Sequence, residues 1–434
     1  GGNYNVVVGD EAGTAITTGD ANVAIGFEAL KTEDTGTSST AIGFQALKNQ
    51  NNDAPNYNTA VGRSAGLSVT TGIQNTLMGG LAGDALTDAD QNVAIGASSL
   101  TTDTLGTGAV AIGYAALNEQ NFTSATTNYN VAVGYKAGES VSTGIQNTII
   151  GGLAGDALTD ADYNVAIGHA ALSTDTLGNR SVALGYLSLA TQNFTSATDT
   201  YNTAVGNAAG NVLTTGLENT LIGGLAGDAL TDADSNVAVG KSALSTDTLG
   251  SRSTAIGTAA LYTQNFTSAT NSYNTAVGFY AGLSITTGVQ NTFIGGLCGD
   301  ATDDGSYNTA VGLQALSANC GDSNTAIGES ALSLTTASNN TAVGKAAGAA
   351  VTTGHSNSFI GRDSGLAVTE GTNNVAMGRL ALRLDTKGTG SVAIGYETLY
   401  SQNFTTATTT YNTAVGYGAG NAVTTGIQNT LIGG

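Results

Sequence analysis

A glycine preceded by a short β-branched run recurs through this chain at a nearly fixed interval, and no other feature limits the fold so tightly. The unit is clearest at Asn202-Thr203-Ala204-Val205-Gly206. Its glycine falls at Gly9, Gly26, Gly43, Gly62 and onward to Gly416 and Gly433, giving twenty-five copies in 434 residues. Of the twenty-four intervals, seventeen are 17 residues, four are 21, two are 16 and one is 19. So short a period means one coil per repeat, each coil touching only its neighbours. It predicts an all-β chain, a parallel β-solenoid of about 25 coils running as a single domain over 1–434. Seventeen residues cannot hold a helix pair with its turns.

Aligned on the glycine, the sequence sorts into columns. The residue one before it is always Val, Ile, Leu or Met, and the residue three before is Val or Thr except at Ser358. Between them stands Ala in most copies. Large and small residues alternating with β-branched enrichment mark a strand. The expected arrangement puts the β-branched pair in the coil's own core and the Ala column outside, against a second backbone. Three residues after the glycine the chain is almost always Ala, and four after it is always Gly or Leu, alternating in pairs such as Gly66 and Gly83, then Leu100 and Leu117. Such strict choice predicts a packed column. Four before the glycine, twenty copies carry Asn. Stacked at strand spacing, about 4.8 Å, these amides can hydrogen-bond along the stack, so the column reads as architecture.

From about residue 62 the coils group into four-coil blocks of 72 residues. The second coil of each block replaces Ala by a large residue, at Leu77, Ile149, Leu221, Phe293, Phe359 and Leu431. The third follows an acidic turn, and the fourth carries a bulge of four extra residues.

Charge narrows the partners. Acidic residues outnumber basic by 32 to 12, a net charge of −20, which disfavours nucleic acid and anionic membranes. No stretch has the roughly eighteen apolar residues of a membrane helix. The chain begins and ends inside the repeat, so a segment of a longer fibre is expected. Cys298 stands in a small-residue column and reads as an apolar filler, while its pairing with Cys320 stays open.

Chemistry finds little support in the residues. Gly62-Arg63-Ser64-Ala65-Gly66 matches a hydrolase nucleophile elbow, but Ser64 becomes Lys136, Ala208 and Tyr280 in equivalent coils. His169 and His355 have no histidine or cysteine partners nearby in the sequence. No enzyme, no catalytic residue and no cofactor are expected. The acidic turns offer a weak Ca²⁺ candidate in Asp84, Asp88 and Asp90, repeated as Asp156, Asp160, Asp162 and as Asp228, Asp232, Asp234. The bulges offer a receptor contact: Phe122, Phe194, Phe266 and Phe404, followed by Tyr129, Tyr201, Tyr273 and Tyr411. Aromatics in loops on a rigid scaffold are common recognition sites, although each Phe could instead anchor its own loop.

In its NTAVG and NVAIG units followed by two variable residues and Ala, nearly the whole chain resembles the head repeats of YadA-like trimeric autotransporter adhesins. Similar repeats occur in phage tail-fibre proteins. The resemblance implies a left-handed parallel β-roll, three parallel chains side by side, and a role in surface attachment at a cell or virion surface. The family coil is about fourteen residues, so the 17 here leaves room for wider turns. The expected function is a rigid, non-enzymatic, extracellular homotrimeric fibre segment, a shaft of roughly 120 Å. The alternative is a tail-fibre or receptor- and glycan-binding shaft with the aromatic bulges as contacts. A polysaccharide-degrading β-helix is the least favoured, since no carboxylate cluster breaks the repeat beside a long loop.

Overall fold

In the computed structural model, which describes residues 2–434, each copy of the unit forms a three-residue strand ending one residue before its glycine. The chain divides into two compact units, Gly1–Glu218 and Asn219–Gly434. The first carries twelve such strands, from Val6–Val8 to Thr203–Val205, and the second thirteen, from Thr220–Ile222 to Thr430–Ile432. Within each unit successive strands pair in parallel and in register, as in Val93↔Val110 and Ile95↔Ile112. Unequal intervals leave the register untouched, because Val110 still meets Val131 across 21 residues and Thr309 meets Thr325 across 16. The extra residues fall in the turns. In the bulged coils they add a second short pairing, Gly106–Thr107 with Thr126–Thr127. The fold is therefore a parallel β-solenoid of about 25 turns, without a helix among the described residues.

The two faces of the strand are the reverse of those expected. Ala24, Ala41, Ala60 and their counterparts are fully buried, while the flanking Val, Thr and Ile are half-buried or exposed. The Ala column thus lines the coil's own interior. That interior is narrow, because the third and fourth residues after the glycine, and in most coils the seventh, also point into it: Ala116 and Leu117 in one coil, Val69 and Leu86 in others, all fully buried. Facing them, the strand has room only for a methyl group. The β-branched residues are left on the outer surface of the sheet.

Size complementarity explains the four-coil block. Leu77 fits inside only because Gly66 and Gly83 flank it. A Cβ at Gly66 would lie 2.7 Å from Leu77 Cδ1, and one at Gly83 would lie 2.7 Å from Leu77 Cδ2. Phe293 and Phe359 stand in the same relation to Gly299 and Gly365. Where the fourth position is Leu, the strand returns to Ala. Gly and Leu can share this column because it has a left-handed backbone in both, with φ of 57° at Gly83 and 52° at Leu100. The anchor glycine needs its own freedom. Gly96 has φ of 135°, and a Cβ there would sit 2.4 Å from the carbonyl oxygen of Gly113 in the next coil.

The Asn column is buried and bonds chiefly to backbone. Asn164 Oδ1 accepts the Ser181 N–H at 2.8 Å, and its Nδ2 donates to the Gly178 carbonyl at 2.9 Å. Most such side chains satisfy one donor and one acceptor of the following coil, Asn308 leaving its Nδ2 unpartnered, so the direct amide ladder is secondary. Asn164→Ala is expected to orphan both groups and to destabilise by about 2–5 kcal/mol, measured as a lower denaturant midpoint with unchanged slope.

Candidate contact surfaces

Most carboxylates of the acidic turns have partners within the chain. Asp88 accepts the Thr71 hydroxyl and Asp160 that of Thr143, each at 2.6 Å. Asp90 and Asp162 accept the backbone N–H of Ile73 and Ile145 at 2.8 Å. Asp228 accepts the Ser245 hydroxyl at 2.6 Å, and Asp232 and Asp234 likewise have partners within the chain. Among the described residues no three of His, Cys, Asp or Glu gather as a metal-binding group. The turns spend these carboxylates on neighbouring coils.

Asp84 and Asp156 differ, since each leaves one buried carboxylate oxygen without a hydrogen-bond partner. Burial pushes both above the usual carboxylate range, and their own backbone amides pull only partly the other way. Relative to the unfolded chain, folding therefore favours the neutral acid. Its stabilisation is complete below the unfolded value, about 3.9, and is lost as pH rises through the raised folded value. Asp84→Asn should match or exceed the parent in stability at pH 7, and the gap should close as pH falls to about 3.9, read from thermal melts across that range.

The bulge aromatics separate into two kinds. Phe122, Phe194, Phe266 and Phe404 are buried, so they anchor their loops and leave the expected contact surface. Tyr129, Tyr201, Tyr273 and Tyr411 are exposed, Tyr129 and Tyr411 at 63%. Arg180 lies over the Tyr201 ring, and Arg252 donates to the Tyr273 hydroxyl at 2.9 Å.

What holds each Phe down is a buried polar network that residue-by-residue reading of the sequence overlooks. Asp103 Oδ1 accepts the N–H groups of Gly106 and Phe122 at 3.0 and 3.1 Å, and its Oδ2 accepts Gln120 Nε2 at 2.6 Å. Gln120 in turn accepts from Asn130 Nδ2 at 2.9 Å. Asp175 with Gln192, Asp247 with Gln264 and Asp385 with Gln402 repeat it. The available signal was the seventh column after the glycine, aliphatic in every Gly-type coil except at Thr302 and Asp or Gln in most Leu-type coils.

The remaining reactive side chains are quiet. Cys298 and Cys320 are free and buried, with burial pushing their thiols up to about 12 and about 11. Cys298 donates to the Ala310 carbonyl, as a small filler can. Ser64 is buried in a turn with no helix after it. His169 stacks on Tyr186, and His355 reaches only Ser356.

The outer face of the sheet in each unit carries exposed apolar side chains. Met78, Ile150 and Leu184 in the first unit, and Ile256, Ile294, Ile327 and Met377 in the second, are all exposed. Beside this stripe, one residue past the glycine, aromatics stack between adjacent coils: Phe27 on Phe44, Tyr114 on Tyr135 and Tyr396 on Tyr417, with centroids 5.2–5.6 Å apart. Among the described residues no helix is long and apolar enough to cross a membrane. No protein-family model matches the chain, and no curated protein matches it either.

Proposed function

We propose that the chain is a non-enzymatic segment of an extracellular fibre, assembled from three parallel copies and serving in surface attachment, as the resemblance to YadA-like head repeats implies. One observation carries this reading. The outer face of each sheet carries one Val, Ile, Met or Leu per coil beside a row of Val and Thr, and the large aliphatic residue is exposed in about half of the coils and half-buried in the others. Apolar surface is worth about 25 cal/mol per Å² on burial, and soluble monomers rarely expose contiguous patches of this kind. Three parallel copies of one solenoid meeting along such a ladder would bury it coil by coil. The left-handed roll comes with the same reading.

Beads coated with the segment should adhere to host-cell or matrix-coated surfaces above albumin-coated beads. Equal retention of both would contradict the attachment role. The exposed Tyr129, Tyr201, Tyr273 and Tyr411 favour a second reading, a receptor- or glycan-binding shaft of tail-fibre type. Under it, Tyr→Ala changes there lower adhesion while the melting temperature holds.

A further inference from the structure

One place in the second unit interrupts the regular surface with a concave site of about 290 Å³. It spans three successive coils, whose glycines are Gly240, Gly257 and Gly278. Lys241, Ser242 and Thr258 line one part, with Tyr262, Tyr280 and Leu283 as the walls. The Tyr280 ring is held by stacking on Phe279, with centroids 3.9 Å apart. At the same positions of the preceding block stand His169, Ala190 and Ala208 in place of Lys241, Tyr262 and Tyr280; the last block repeats a cation and one wall as Arg379 and Tyr400 but has Gly418 in place of Tyr280, so the pair of tyrosine walls is found in this block.

The polar ends that reach the site are unspent. Nearly every other cation of the chain is engaged: Lys31, Lys48, Lys136, Arg180, Lys345, Arg362 and Lys387 in ion pairs, and Arg252 and Arg383 on tyrosine hydroxyls. Among the described residues the Lys241 ammonium has no such partner, and neither phenol of Tyr262 and Tyr280 has a hydrogen-bond partner. A free ammonium, several hydroxyls and two aromatic walls match a pyranose: apolar ring faces against tyrosine, hydroxyls to hydroxyls, one anionic substituent on the lysine. The volume suits a single sugar unit. The long-range field of a −20 chain is screened beyond about 8 Å at physiological salt, so a local ammonium can still select an anion.

We infer that this site binds a carboxylate-bearing pyranose, of the uronic acid type, with the carboxylate on Lys241 and the ring between Tyr262 and Tyr280. The inference deepens the attachment reading by naming a ligand class, but binding can be measured apart from adhesion. Isothermal titration and saturation-transfer NMR of the full chain would compare methyl glucuronide with methyl glucoside, which differ only in the carboxylate. The glucuronide should bind at least about tenfold more tightly, the worth of one charge-assisted hydrogen bond. Lys241→Met, at an exposed position, should erase that preference with unchanged melting, and Tyr280→Ala should weaken both sugars. Equal affinity for the two, no binding of either, or a preference that survives Lys241→Met would overturn the inference. If the site fails while coated beads still adhere, the attachment reading stands alone; if the glucuronide binds but beads do not adhere, only the site stands.

Discussion

Phe293→Ala should destabilise its unit by about 3–5 kcal/mol, and Gly299→Leu made in the same chain should recover part of that loss. Phe293 is fully buried, and it occupies space that Leu-type coils fill from the opposite wall. A Cβ at Gly299 would lie 2.7 Å from the Phe293 ring, so Gly299→Leu alone forces an overpacked interior at about 1–3 kcal/mol. Backbone strain does not forbid the leucine, because Leu316 takes the same left-handed conformation at the same column. The two single losses should therefore exceed the loss of the double variant by more than about 1 kcal/mol. Chemical denaturation of the four proteins measures this coupling. Simple additivity would mean that the Gly/Leu alternation has nothing to do with interior volume.

The second large effect concerns assembly. Ile150 and Ile167 pair in register on the outer face, and neither contributes to the coil interior. Lysine at both positions should leave each coil folded, within the roughly ±0.5 kcal/mol typical of surface changes. In three chains meeting along that face the same change places six ammonium groups at a dry contact. An unpaired charge in such a place costs several kcal/mol. Velocity sedimentation should show the assembly dissociating, with circular dichroism and melting of the separated chain nearly unchanged. Assembly that survives both lysines would move the contact elsewhere.

Much of the fold is legible in the column pattern alone. The period gives the coil, Val-Ala-Ile the strand, and the strict Ala and Gly/Leu columns the interior. The inside and outside of the strand are not legible in the same way. Alternation shows that Ala94 faces opposite to Val93 and Ile95, but it holds equally well with either face inward. What decides is the width of the coil, set by Leu100 and its column from across the interior. The usual expectation that large apolar residues face inward fails where the far wall already fills the space.

The same limit applies to the aromatics. Phe122 and Tyr129 look alike as exposed loop residues, and only the Asp103–Gln120 network from the preceding turn separates them. Thr-Asp-Thr reads locally as a solvated turn, so a buried carboxylate there is invisible until the coils are stacked.

The most direct test is the mass of the unmodified segment in solution. Sedimentation equilibrium at micromolar concentration should give three times the 42.8 kDa chain mass. A single 42.8 kDa species that stays soluble and folded, with Ile150 and Ile294 open to water, would contradict the account.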